Sequence, residues 1–136
     1  MTYSIFESEI NVRPDDIDMN NHVHYSKYLD FLLMARYDQM QRCYKMSMEE
    51  FVERGYSWFA SSANINYKSG LKLNDIAVVK TQVKEIKAAQ VDVNFWILRK
   101  SDLTTCCFGN VLYTLVSVST GKPCRIPEDA IKKYSI

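Results

Sequence analysis

Along the first thirteen residues, apolar and polar positions alternate: Ile5, Glu7 and Glu9 stand against Phe6, Ile10 and Val12, the pattern of a short strand from Ile5 to Arg13. Pro14 ends it, because proline brings no N–H to a ladder. Asp15 to Asn21 is a polar run whose Asp and Asn side chains bond readily to nearby backbone, which predicts a loop. The period then changes. From about His24 to Tyr44, the residues Tyr25, Tyr28, Leu29, Leu32, Ala35, Met40 and Tyr44 recur mostly at steps of three and four. That spacing predicts a long central helix of about five turns.

A second, short helix follows. Ser47 is its cap, Glu50 stands three residues on as in a capping box, and Gly55 supplies the left-handed stop. Beyond Gly55 the pattern is β throughout. Ser57–Tyr67, Ile76–Ile86, Gln90–Arg99 and Thr105–Ser119 are rich in Val, Thr, Phe and Tyr. Lys87-Ala88-Ala89 and Lys100-Ser101-Asp102 separate them as hairpin turns, neither with the strong Asn-Gly signature. Thr120-Gly121-Lys122-Pro123 closes the last strand, and Ile126-Pro127-Glu128-Asp129 opens a short terminal helix with proline near its first position. Strand, long helix, short helix and four successive antiparallel strands make an α+β architecture, with the helices segregated on one side of one sheet. The chain lacks both the repeated β-α-β alternation and the glycine-rich loop of a dinucleotide-binding fold, and has four glycines in all.

Composition narrows the class. A chain of 136 residues fits one domain, and 47% apolar with 24% charged residues is the balance of an ordinary globular protein. Seventeen basic against sixteen acidic residues leave a net charge of +1, so no global field would draw nucleic acid or a membrane surface, and an anionic ligand must be held locally. The opening Met-Thr-Tyr-Ser-Ile-Phe-Glu lacks a basic and then apolar leader, and no apolar run approaches the roughly 20 residues that span a bilayer. The expected compartment is the cytoplasm. Four cysteines with no Cys-x-x-Cys spacing, two of them adjacent at 106 and 107, read as free thiols rather than disulfides or a zinc site.

The densest cluster of chemistry-bearing side chains is Asp15-Asp16-Ile17-Asp18-Met19-Asn20-Asn21-His22-Val23-His24-Tyr25, immediately before the long helix. Amides at a helix start have no partner within the helix, and the macrodipole adds positive potential there, so a developing oxyanion would be stabilised. A carboxylate nearby supplies a base or nucleophile. By residue type alone, Asp18 is as natural a cap as a catalyst, and Asn20 and Asn21 are natural turn residues. His22 and His24 are the only histidines, and with no close third histidine or cysteine they do not make a metal site with Asp18.

The stretch from Val12 to Asp30, with Asp-Ile-Asp-Met-Asn-Asn-His-Val at its centre and Lys27-Tyr28 after it, resembles the opening of the 4-hydroxybenzoyl-CoA thioesterase-like hotdog families. Within these it is most similar to the catalytic segment of plant-type acyl-acyl-carrier-protein thioesterases. Ile65-Asn66-Tyr67-Lys68, Asn74-Asp75 and Thr120-Gly121-Lys122-Pro123 resemble later landmarks of the same families. The resemblance implies a hotdog fold, an antiparallel sheet wrapped around the long helix, and hydrolysis of an acyl-CoA or acyl-carrier-protein thioester without metal or cofactor. It implies a catalytic set of Asp18, Asn20, His22 and Tyr25: Asp18 as nucleophile or general base, Asn20 and His22 orienting it or a water, Tyr25 through its backbone N–H. The departure at Tyr25 and Pro14, where one bacterial branch carries histidine and tyrosine, blocks transfer of those side chains' roles. The family's sites form between protomers, implying a homodimer or homotetramer. Tyr28, Trp58 and Phe59 are the candidates for contact with the acyl group. Two other readings stand beside the enzyme. One is a non-catalytic acyl-CoA-binding or assembly module; the other is a dehydratase, which usually presents its histidine and acid in a different arrangement.

Overall fold

A computed structural model describes residues 3–136; Met1 and Thr2, the first residues of the run read for a leader, lie outside them. The elements in chain order are β1 (Ile5–Asn11), α1 (Lys27–Arg42), α2 (Met48–Glu53), β2 (Tyr56–Tyr67), β3 (Ile76–Lys87), β4 (Gln90–Arg99), β5 (Thr105–Ser117) and α3 (Glu128–Tyr134). The expected strand and helix types all form; β1, α1 and β5 are shorter than expected, β2 and β3 each one residue longer, and β4 has the expected bounds. Pro14 does more than stop β1: it opens a 3₁₀ turn over Pro14–Asp16, where the missing N–H costs nothing. The long helix starts at Lys27, so His24 and Tyr25 precede it rather than forming its first turn.

The strands make one antiparallel sheet in the order β1-β3-β4-β5-β2. Chain order had suggested four successive neighbours after α2, but β2 lies at the far edge against β5, and β3 takes β1 as its outer partner. The β3–β4 turn is closed by Ala88 at φ 54°, a left-handed conformation held here without asparagine or glycine. Register shifts at Ala60/Ser62, Val83/Glu85 and Ile97/Leu98 add local bends to the sheet.

Alternate residues of β4, namely Val91, Val93, Phe95 and Ile97, are buried, as a sheet covered on one face requires. Against that face α1 presents Tyr28, Phe31, Leu32, Ala35, Arg36, Gln39 and Met40, the three- and four-residue spacing of one helical stripe. Phe31, Leu32 and Ala35 pack with Val79, Phe95 and Ile97 in one core cluster. Met40 and Tyr44 join Phe51, Leu115 and Tyr134 in a second, under α2 and α3. Ser47 caps α2 by accepting from Glu50 N–H at 3.2 Å, and Gly55 follows at φ 85°. No helix among the described residues is long and apolar enough to cross a membrane.

Candidate active site

The loop before α1 is built around Asp18. Its Oδ1 accepts from the backbone N–H of Asn20 at 2.8 Å and of His22 at 3.2 Å, while its own N–H donates to the His22 carbonyl at 2.8 Å. The turn this closes places Asn21 at φ 59°, a conformation asparagine tolerates better than most residues. The two amides hold the Asp18 carboxyl below its ordinary value of 3.8, with the Asn20 N–H the larger cause. Asp18 is therefore ionised at neutral pH, and its second oxygen carries no hydrogen bond from a described residue.

Asn20 and His22 thus meet Asp18 through their amides. Among the described residues, neither side chain comes within hydrogen-bond distance of the carboxylate. The His22 ring lies instead over Gly70, where a Cβ would stand 3.1 Å from its Cδ2. The segment beneath is fixed on several sides. Val23 N–H donates to the Leu71 carbonyl at 2.8 Å, Arg99 Nη2 donates to the Gly70 carbonyl at 2.8 Å, and the Tyr67 hydroxyl donates to the Tyr25 carbonyl at 3.1 Å. Neighbouring Asp16 is buried, and its carboxylate takes the Arg13 N–H at 2.9 Å; it ties down the preceding turn.

Tyr25 is 67% exposed, its ring stacked on His24 at 4.6 Å, and its N–H meets no acceptor among the described residues. Ser26, the residue before α1, supplies no side-chain cap, since its hydroxyl is paired with His24 Nδ1 at 2.8 Å. The first-turn amides of a 16-residue helix therefore lack a side-chain acceptor, and they bring the positive end of the helix dipole.

The three residues proposed for acyl contact fall in three places. Tyr28, 3% exposed, is anchored in the core and accepts the Leu71 N–H at 3.1 Å; burial pushes its hydroxyl up from 10.0. Trp58 lines an apolar cleft between α1 and the sheet. Phe59, adjacent on β2, points the other way and is 62% exposed, as the two-residue period of a strand dictates. Sequence reasoning passed over Gly70, Tyr67 and Arg99, which support the loop from a distant stretch, and Arg36, a charge interrupting the apolar stripe of α1.

Residues 12–133 match the model of the Thioesterase-like superfamily. The chain belongs to that superfamily. It is 23% identical over 124 residues to the acyl-CoA thioesterase YbgC of Haemophilus influenzae, covering 91% of this chain and 90% of that protein. It is 26% identical over 80 residues to the long-chain acyl-CoA thioesterase FadM of Escherichia coli, a stretch covering 59% of each. In fold it resembles the DHNA-CoA thioesterase of Staphylococcus aureus, with a TM-score of 0.90 at 20% identity over 96% of this chain and 89% of that one. The α+β sheet-and-helix arrangement is the hotdog fold of this superfamily.

Proposed function

We propose that this superfamily member hydrolyses acyl-CoA thioesters, with Asp18 as the group that attacks the carbonyl or activates the attacking water. The observation that carries the reading is the Asp18 carboxylate: ionised, held by two amides through one oxygen, and free at the other among the described residues, in the loop that leads into a helix whose first-turn amides lack a side-chain cap. The thioester carbonyl oxygen would lie against the Tyr25 N–H, where negative charge develops as the tetrahedral intermediate forms. Collapse breaks the C–S bond; the thiolate leaves and takes up the proton that Asp18 drew from the attacking water, or, where Asp18 itself attacks, a water then cleaves the acyl-aspartyl anhydride to the free acid and supplies that proton. The side chains of Asn20 and His22, not engaged with Asp18, would act on water or substrate rather than on the carboxylate. A carrier-protein thioester presents the same bond and is the second substrate to test.

A homodimer is part of this reading. β2 is a 12-residue edge strand with one ladder partner and is exposed along most of its length, a form of edge that seldom stays uncovered. Pairing of two β2 edges would continue the sheet across the twofold axis.

The test is release of coenzyme A from short, medium, long and aromatic acyl-CoA panels by wild type and Asp18→Asn, with an enzyme-only blank for the chain's own thiols. Asparagine retains an oxygen for the two amides, so the loop should hold while the charge is lost. Turnover should fall by a factor of about 10² to 10⁴ with the fold intact. Equal turnover in a folded Asp18→Asn protein removes Asp18 from the chemistry. No release from any acyl-CoA or carrier-protein thioester favours the non-catalytic binding module.

A further inference from the structure

Against the second core cluster lies a buried cation without a counter-ion among the described residues. Arg36 lies on the inward stripe of α1 and is 6% exposed, yet no carboxylate among the described residues pairs with it. Its Nη1 is buried and meets no acceptor. The guanidinium stands over the Tyr44 ring at 5.6 Å from the centroid, a contact that favours the charge through the ring face but leaves N–H groups at the guanidinium edge unused. Two further buried polar atoms are unpartnered, the indole N–H of Trp58 and the hydroxyl of Tyr44 itself.

Arg36 and Trp58 line the same apolar cleft, walled by Leu33, Met40, Met48 and Val91, with half-exposed Leu33 at its rim. A guanidinium keeps its charge at any physiological pH, and burying an unpaired charge is costly, so native proteins seldom retain one without a use. The space in the cleft is small, about 30 Å³, room for an anionic end group such as a carboxylate, so two unpaired donors there suit a ligand whose apolar length lies along the rim at Leu33 and whose anionic end enters. The cleft is near the middle of α1, nine residues beyond Lys27, about 13 Å at 1.5 Å per residue. A chain beginning at the helix start would have to be of medium length to reach it.

We propose that this cleft is the distal acyl subsite and that it selects ω-carboxyacyl thioesters, the monothioesters of medium-chain dicarboxylic acids, with the terminal carboxylate taken by Arg36 and Trp58 Nε1. The proposal rests on the thioesterase reading for the acyl donor, while the subsite itself can be tested without turnover. The carboxylate supplies the acceptor that Nη1 lacks, and charge-assisted pairing in a desolvated slot is the stronger kind of hydrogen bond.

The experiment compares adipoyl-, suberoyl- and sebacoyl-CoA with hexanoyl-, octanoyl- and decanoyl-CoA as substrates. In parallel, calorimetry measures binding of free suberate against octanoate. Wild type should favour at least one dicarboxylic member over its monoacid counterpart by about 10- to 100-fold in kcat/KM. In Arg36→Met, whose fold is checked by its melting temperature, that ratio should fall to about one or below. Trp58→Phe removes the indole N–H with little change in shape and should lower the ratio by a smaller factor; it serves alone if the Arg36 variant does not fold. Hydrolysis of both series with no preference, or a preference that survives Arg36→Met, overturns the subsite and leaves the thioesterase reading standing. If no thioester is hydrolysed, calorimetry decides: suberate binding lost in Arg36→Met supports the subsite, and equal or absent binding of suberate and octanoate overturns it.

Discussion

Gln39 ties α1 to the sheet, and Thr81→Val tests how much that tie contributes. Both residues are fully buried. The Gln39 side-chain oxygen accepts the Thr81 hydroxyl, and its Nε2 donates to Ser8 Oγ at 3.1 Å and to the Val79 carbonyl at 3.4 Å. Ser8 in turn donates to Asp38 at 2.5 Å, so the network runs from β3 through α1 and β1 to the surface. Valine has the shape of threonine without the hydroxyl. The substitution strands the Gln39 oxygen in a dry core, and a stranded buried acceptor costs about 1–3 kcal/mol. At about 2.1 cal/mol/K per residue, 136 residues give an unfolding entropy of about 0.29 kcal/mol/K, so a loss of about 2 kcal/mol lowers Tm by about 7 °C. Scanning calorimetry at one fixed protein concentration reads the shift, since dissociation of a dimer would make Tm concentration-dependent. Gln39→Leu combined with Thr81→Val removes both partners and should recover part of the loss, because the Gln39 oxygen is then no longer stranded. A Tm drop under about 2 °C for Thr81→Val, or a double variant whose loss is simply the sum of the singles, refutes the reasoning.

Three further outcomes follow from the same geometry. The Asp18 carboxyl is held below 3.8, so its ionised form persists to lower pH than that of a free aspartate; the acid limb of kcat/KM should begin below about pH 4, and a limb centred near pH 6 would assign the titration to another group. Gly55 has φ 85° with open space where a Cβ would go, so Gly55→Ala should destabilise by about 1–2 kcal/mol from backbone strain alone in urea unfolding; a neutral result would remove the strain argument. Burial pushes the Cys107 thiol up to about 12 and raises Cys106 as well. Iodoacetamide at mildly alkaline pH followed by peptide mass spectrometry should therefore leave both unmodified in the native protein, and label them after unfolding.

Much of the fold was legible in the chain itself. Periodicity decides local structure because a helix and a strand bury one face at different spacings, so β4 was readable to the residue and α1 to within its first turn. The loop from Asp15 to Tyr25 was legible as a candidate site because aspartate, asparagine and histidine side chains concentrate there before a helix. Other features depended on partners remote in sequence. The position of β2 beside β5 rather than β3 is a matter of long-range pairing, which a strand's own residues do not encode. Trp58 and Phe59 look alike in sequence, yet one faces the cleft and the other the outer surface, because the strand's register sets the faces. The grip on Asp18 comes from backbone amides, whose direction appears only once the turn at Asn21 has closed over Gly70 and Leu71. Arg36 is the plainest case: in the sequence it is one of seventeen basic residues, and only packing removes it from water without giving it an acid. A side chain's type is written in the chain, whereas its solvation and its partners are properties of everything folded around it.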